Sequence, residues 1–283
     1  MRYLPNGKQM SEADAHTIHK IGIPSLVLME RAALQIVETM HKKNISTEKS
    51  LIVCGSGNNG GDGFAVARLL TEQGKHADVL FAGKEASLSE ECRCQKQIVE
   101  NMGISVFTEF PDEEYTVIID AVFGVGLCRE ITGHYKDVID WMNLQDTEKV
   151  AVDIPSGICA ATGEILGTAF RADLTVCMAC VKLGCELFPG KSYAGESIPV
   201  AIGIDPNYFS NRLDVCYTFD KNELGKLLPA RMMNSHKGSY GKVLMITGSP
   251  GMAGAAFLSA CAAYTVGAGL VQIYTASENR LAL

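Results

Sequence analysis

The chain has 283 residues, enough for one large or two ordinary domains, with 47% hydrophobic and 20% charged residues; this balance excludes the disordered and fibrous classes. A formal net charge of −7 and a pI near 5.4 give no general attraction to phosphate backbones or anionic lipid, which sets nucleic acid and membrane aside as partners. The polar opening segment 1–20 contains acids, and no later apolar run reaches the roughly 18 residues of a membrane span, so a cytoplasmic chain is expected.

From Ser11 to about Lys42 apolar residues recur at helical spacing, interrupted by Gly22 and Pro24. The spacing predicts a helix, a turn and a second helix with Met29, Ala32, Ala33, Ile36 and Val37 on one face. Short β-like runs then alternate with helical ones. Strands are predicted at Ser50–Cys54, Ala77–Ala82, Ser105–Phe107, Val117–Ala121, Val150–Asp153 and Leu174–Cys180. Helices are predicted at Gly63–Gln73, Ser89–Met102 and Tyr135–Met142. Unbroken apolar strands such as TVIID and VAVDI belong in a parallel sheet covered on both faces. The expected fold is a doubly wound, Rossmann-like α/β three-layer sandwich.

The pattern lapses over a polar stretch from Asn211 to Pro229, and the domain boundary is placed between 212 and 213. A strand at Gly241–Gly248, a helix at Ala253–Val266 and a strand at Leu270–Thr275 then open a second α/β unit. These are too few to close a sheet and core, so residues 213–283 are expected to be a truncated domain. Ten cysteines sit mostly inside apolar runs and are read as reduced thiols. Cys177 and Cys180 have C-x-x-C spacing without a second pair or a nearby His, which favours strand packing over zinc.

Gly55-Ser56-Gly57-Asn58-Asn59-Gly60 satisfies G-x-G-x-x-G between a strand and a helix. The companion acid after the second strand is missing, since that strand runs into Ala82-Gly83-Lys84. Asp62 also places a carboxylate where a phosphate would sit, and no Lys-Ser or Lys-Thr completes a Walker A loop. An ordinary NAD-dependent oxidoreductase and a nucleotide triphosphatase are thereby disfavoured. Asp62 reads equally well as the N-cap of the following helix.

In open α/β sheets, ligands bind beyond the carboxyl ends of the strands. Three groups collect there: Asn58, Asn59 and Asp62; Asp120 with Phe123-Gly124-Val125-Gly126-Leu127; and Asp153-Ile154-Pro155-Ser156-Gly157. Asn59, Asp120 and Ser156 offer only oxygen ligands with one formal charge, which suits a weakly held monovalent cation. Each alone also reads as a cap or turn residue. Lys182 either joins these groups or snorkels at the surface.

GSGNNGGDGFAVARLL, DAVFGVGLCREITG and VAVDIPSGICAATGEILG, in that order and after PSLVLMERAA, resemble the signature blocks of the YjeF N-terminal family of NAD(P)HX epimerases. The resemblance covers roughly Met1 to Asn211. The segment RMMNSHKGSYGKVLMITGSPGMAGAAFLSACAAYTVGAGLV resembles the start of the ribokinase-like, ADP-dependent NAD(P)HX dehydratases, which are fused behind the epimerase in many bacterial proteins. Their later catalytic motif does not occur in this sequence, so dehydratase activity is not expected. The resemblance implies that Asn58, Asn59, Gly60, Gly61, Asp62, Gly124, Val125, Gly126, Leu127, Cys128, Arg129, Glu130, Tyr135 and Asp153 contact hydrated NADH or NADPH. It further implies that Asn59, Asp120 and Ser156 bind potassium.

Inverting a hydroxyl-bearing ring carbon next to nitrogen needs reversible loss of hydroxide or reversible ring opening, both with proton transfer. Asp153 is the expected acid/base, because Pro155 and Gly157 stiffen the turn on which it leaves its strand. The alternative is a non-catalytic nucleotide-binding or scaffold module of the same fold. Homo-oligomerisation is left open by the sequence.

Overall fold

A computed structural model describes residues 1–205, 207–227 and 230–283. Leu228 and Pro229, the end of the polar stretch, lie outside the described residues. The chain forms two compact units, 1–220 and 221–283.

The first unit opens with strand β1 (Arg2–Leu4) and helix α1 (Gly7–His16). Asn6 caps α1 by accepting the Gln9 N–H at 2.9 Å, and Gln9 returns the bond to the Asn6 N–H at 2.9 Å. This capping box starts the helix four residues before the apolar periodicity does. A π-helical turn at Thr17–Ile21 ends on Gly22, at φ +90°, and helix α2 (Ser25–Lys42) follows Pro24. Gly22 and Pro24 make the predicted break, and Met29, Ala32, Ala33, Ile36 and Val37 are buried.

Beyond α2 come β2 (Lys49–Cys54), α3 (Asn58–Glu72), β3 (His76–Phe81), α4 (Glu90–Asn101), β4 (Val106–Phe107), β5 (Val117–Ala121), α5 (His134–Leu144), β6 (Glu148–Val152), β7 (Leu174–Met178), α6 (Leu183–Glu186) and β8 (Glu196–Val200). Seven of these strands form one parallel sheet in the order β4-β3-β2-β5-β6-β7-β8. Within β2, Ile52 and Cys54 pack into one core layer with α2 and α3, while Leu51 and Val53 pack into the other with Val138 and Met142 of α5. Each such fully buried side chain contributes roughly 1.5–3 kcal/mol. The Rossmann-like three-layer sandwich is therefore the observed fold.

Strand β8 was not predicted. Its sequence ESIPV carries a proline, which a sheet tolerates only where no ladder donor is required, and β8 is the sheet's edge. Strand β9 (Cys216–Thr218) pairs antiparallel with β1, with Arg2 opposite Thr218, and so keeps residues beyond 212 in the first unit. Cys177 is buried in β7, and all ten cysteines are free.

The second unit contains α7 (Lys221–Leu227), β10 (Lys242–Ile246), α8 (Ala253–Val266) and β11 (Leu270–Tyr274). Strands β10 and β11 are parallel, with Lys242 opposite Leu270. Leu244, Ile246, Leu258 and Val266 remain exposed. No helix among the described residues is long and apolar enough to cross a membrane.

Candidate functional site

The strand order reverses direction between β2 and β5, the topological switch point at which ligands bind in open α/β sheets. A cavity of about 620 Å³ opens there, lined by Ser56–Asn59, Asp62, Lys84, Val122–Arg129, Tyr135, Asp153 and Met178, with Met10, Asp14 and Met29 from α1 and α2. Its volume lies within the range of small-molecule sites.

The glycine loop departs from expectation at its helix. Gly57 is the N-cap and provides no side-chain hydrogen bond, and α3 begins at Asn58 rather than Gly63. Asp62 is consequently not the cap; it stands past the first turn, half-buried on the cavity wall. Close packing explains the early start. A Cβ on Gly55 would lie 2.1 Å from the Val122 carbonyl oxygen, and one on Gly60 would lie 2.0 Å from the Gly55 carbonyl oxygen. Gly61 is pressed against Met29. Gly60 and Gly61 thus pack the helix start and are off the cavity wall. Glu130, which is exposed, is also off it. The loop is anchored by Ser56, whose hydroxyl accepts the Lys84 N–H at 2.8 Å.

The two other strand ends meet at Asp120. Its carboxylate accepts the Ser156 hydroxyl at 2.6 Å, the Ser156 N–H at 2.7 Å and the Val122 N–H at 3.1 Å. The Ser156 oxygen in turn accepts the Phe123 N–H at 2.8 Å. Burial pushes the Asp120 carboxyl up to about 6, against these lowering hydrogen bonds. Asp120 and Ser156 lie behind the cavity wall rather than on it. Asn59 is buried beside Gly124, and its Nδ2 has no hydrogen-bond partner. Asn59, Asp120 and Ser156 together offer an amide Oδ1, a buried carboxylate with no cation hydrogen-bonded to it among the described residues and a hydroxyl oxygen, the oxygen types a hard monovalent cation takes, whereas the unpartnered Asn59 Nδ2 is a donor and would serve an acceptor instead.

Asp153 follows β6 directly at φ +69°, with the Ile154 N–H returning to the Val152 carbonyl at 2.8 Å. One strand over, Ala179 at φ +60° repeats the turn, with the Cys180 N–H on the Met178 carbonyl at 2.7 Å. Positive φ at two adjacent non-glycine strand ends is a strained arrangement of the kind found at functional sites. Asp153 Oδ1 accepts the Met178 N–H at 2.9 Å and also receives Lys182 Nζ, which donates to the Met178 carbonyl at 2.9 Å. Lys182 is 0% exposed, so it is no snorkelling surface residue. Burial works against its ammonium, yet the Asp153 carboxylate holds it above the usual lysine range.

Of the residues named from sequence, Asn58, Asn59, Asp62, Gly124–Arg129, Tyr135 and Asp153 share the wall; the Tyr135 ring packs 4.8 Å from that of Phe123. Asp14 and Lys84 were missed as wall residues. Lys84 follows β3 and was open to the same strand-end rule, whereas nothing local marks Asp14.

The family described as YjeF-related protein N-terminus matches residues 25–184. A protein named NAD(P)H-hydrate epimerase from Oenococcus oeni is 42% identical over 201 residues, covering 70% of this chain and 96% of that protein. Another of that name from Limosilactobacillus reuteri is 44% identical over 197 residues, 69% of this chain and 93% of its own length. A bifunctional NAD(P)H-hydrate repair enzyme from Moorella thermoacetica is 34% identical over 287 residues, 95% of this chain and 53% of that protein. The crystal structure of yeast ynu0 superposes with a TM-score of 0.60 at 17% identity, covering 76% of this chain and 99% of that one, and so shares the fold. With the family matched over more than half its length, the chain belongs to the YjeF N-terminal family.

Proposed function

We propose that this chain interconverts the R and S epimers of hydrated NADH and NADPH, a repair reaction on damaged nicotinamide nucleotides. The relatives named NAD(P)H-hydrate epimerase align along nearly their whole lengths. The observation that carries the reading is Asp153, a strained, ion-paired carboxylate on the wall of the switch-point cavity. Ser56, Gly57 and Asn58 offer the uncapped start of α3, the Lys84 N–H bonds to Ser56, and Arg129 lines the same cavity, a set of donors and cations that suits a pyrophosphate. Asp153, Asp62 and Asp14 occupy wall positions suited to the uncharged, hydroxylated nicotinamide ring.

In this reading Asn58, Asn59, Asp62, Gly124 to Arg129, Tyr135 and Asp153 contact the nucleotide, and Asp153 moves the proton on the oxygen at the inverting carbon. Lys182 and the Met178 N–H fix one carboxylate oxygen of Asp153. Potassium, held by Asn59, Asp120 and Ser156, would supply positive charge beside the buried Asp120 and fix the β2 and β5 loops. The second unit, 221–283, is read as the opening of a ribokinase-like dehydratase domain, because the bifunctional Moorella relative aligns along 95% of the chain.

The test is to incubate the purified chain with one epimer of NADHX and follow the other by chromatography, with and without potassium. Interconversion faster than the spontaneous rate supports the reading. A folded chain that binds NADHX without accelerating it points instead to a non-catalytic module.

A further inference from the structure

Epimerisation by loss and return of the hydroxyl requires a proton donor as well as a base. Asp153 is ion-paired with Lys182 and hydrogen-bonded to Met178, which suits the base. A second carboxyl group on the same wall differs in one respect. Among the described residues, no hydrogen bond or ion pair holds the carboxyl of Asp62.

We propose that Asp62, the unpartnered carboxyl group on the cavity wall, is the proton donor of the site and protonates the departing hydroxyl of the hydrated nicotinamide ring. The proposal rests on the epimerase reading and deepens it. The Asp62 proton passes to the hydroxyl oxygen as the carbon–oxygen bond breaks, and water leaves with the bonding pair. The lone pair of the ring nitrogen forms the carbon–nitrogen double bond of an iminium. Water then adds to the opposite face, the double-bond pair returns to nitrogen, and the proton of the added water passes to Asp153. The proton so moved returns from Asp153 to Asp62 through solvent, or by turnover in the reverse direction.

The surroundings of Asp62 favour the neutral form. The groups acting on it are Asp14 from α1, Asp153 beyond β6 and Lys182 beyond β7, with the thiols of Cys54 on β2 and Cys92 on α4. Two are like charges, and the one cation is already engaged with Asp153. Burial, reinforced by Asp153 and Asp14, pushes Asp62 well above the usual carboxylate range. Burial likewise raises both thiols, Cys92 to about 12, so neither supplies an anion near neutrality. One carboxyl group without a partner beside another that is ion-paired to Lys182 is an arrangement suited to an acid and base pair.

The experiment compares wild type, Asp62→Asn and Asp62→Glu in epimerisation of NADHX across pH, with NADHX binding measured by equilibrium dialysis. Wild-type kcat/KM should fall as pH rises through the titration of Asp62. Asp62→Asn should still bind NADHX, turn over roughly 100-fold to 10,000-fold more slowly, and lack that alkaline limb; Asp62→Glu should restore the limb. In infrared spectra of the wild type and of Asp62→Glu at the pH of maximal activity, the carbonyl stretch of a neutral carboxylic acid should be present in the wild type and should shift in the variant, which separates the Asp62 signal from those of Asp14 and Asp120. An active wild type without that band, or an Asp62→Asn variant that keeps either the rate or the alkaline limb, overturns the role of Asp62 alone. A wild type that leaves the epimers unconverted overturns the epimerase reading and this role together.

Discussion

Lys182 and Asp153 form a buried ion pair across two adjacent strand ends, with Lys182 Nζ donating to both the Asp153 carboxylate and the Met178 carbonyl. The pair ties the β6 turn to the β7 turn, and both turns carry a residue at positive φ. Replacing Lys182 by Met leaves a desolvated carboxylate without its counter-ion. We expect a loss of about 3–5 kcal/mol, the usual cost of removing one partner of a buried pair, measured by urea denaturation. A change below 1 kcal/mol, on the order of an exposed pair, would contradict the buried arrangement.

Potassium should stabilise the fold in a pH-dependent way. Asp120 is raised from 3.8 to about 6 in the folded chain, mainly by burial. The folded state therefore holds this proton more tightly than the unfolded state, and stability falls as pH rises from 3.8 to about 6. The full difference corresponds to roughly 3 kcal/mol. A cation beside the ionised carboxylate offsets that loss, so potassium should raise Tm above about pH 6 and progressively less below it. Equal effects of potassium and choline at all pH values would argue against the Asn59, Asp120 and Ser156 site.

The glycines of the loop should not be equivalent. Gly60→Ala forces a Cβ to within 2.0 Å of a backbone oxygen, whereas a Cβ on Gly57 meets nothing within 4 Å. Gly60→Ala should cost about 1–3 kcal/mol or more, as overpacking does, and Gly57→Ala should fold with near-normal stability. Thermal denaturation of the two variants side by side checks the ranking.

Asp14 raises Asp62 through its charge. Asp14→Asn should make Asp62 easier to ionise and move the alkaline limb of the epimerase profile to lower pH. An unmoved limb would separate the two carboxyl groups.

What the sequence made legible follows from where the information lies. Unbroken apolar runs such as TVIID identified the buried parallel strands, and strand-end polar residues identified the wall around Asp153. Backbone packing hid the rest. Glycines read as a loop let α3 begin at Asn58, which moved Asp62 from a cap into the cavity. Pro199 concealed the edge strand β8, and pairing with β1 moved the unit boundary past Thr218. The burial of Lys182 depends on the Asp153 turn folding over from a neighbouring strand, and Asp14 reaches the cavity from the first helix. Both are long-range facts that no local pattern contains.

The most direct test of the account is the rate at which a single NADHX epimer is converted to the other by the wild type and by Asp153→Asn, compared under conditions in which both are folded and bind NADHX. The account predicts acceleration by the wild type and a loss of roughly 100-fold to 10,000-fold in the variant. Equal rates for the two proteins would contradict it.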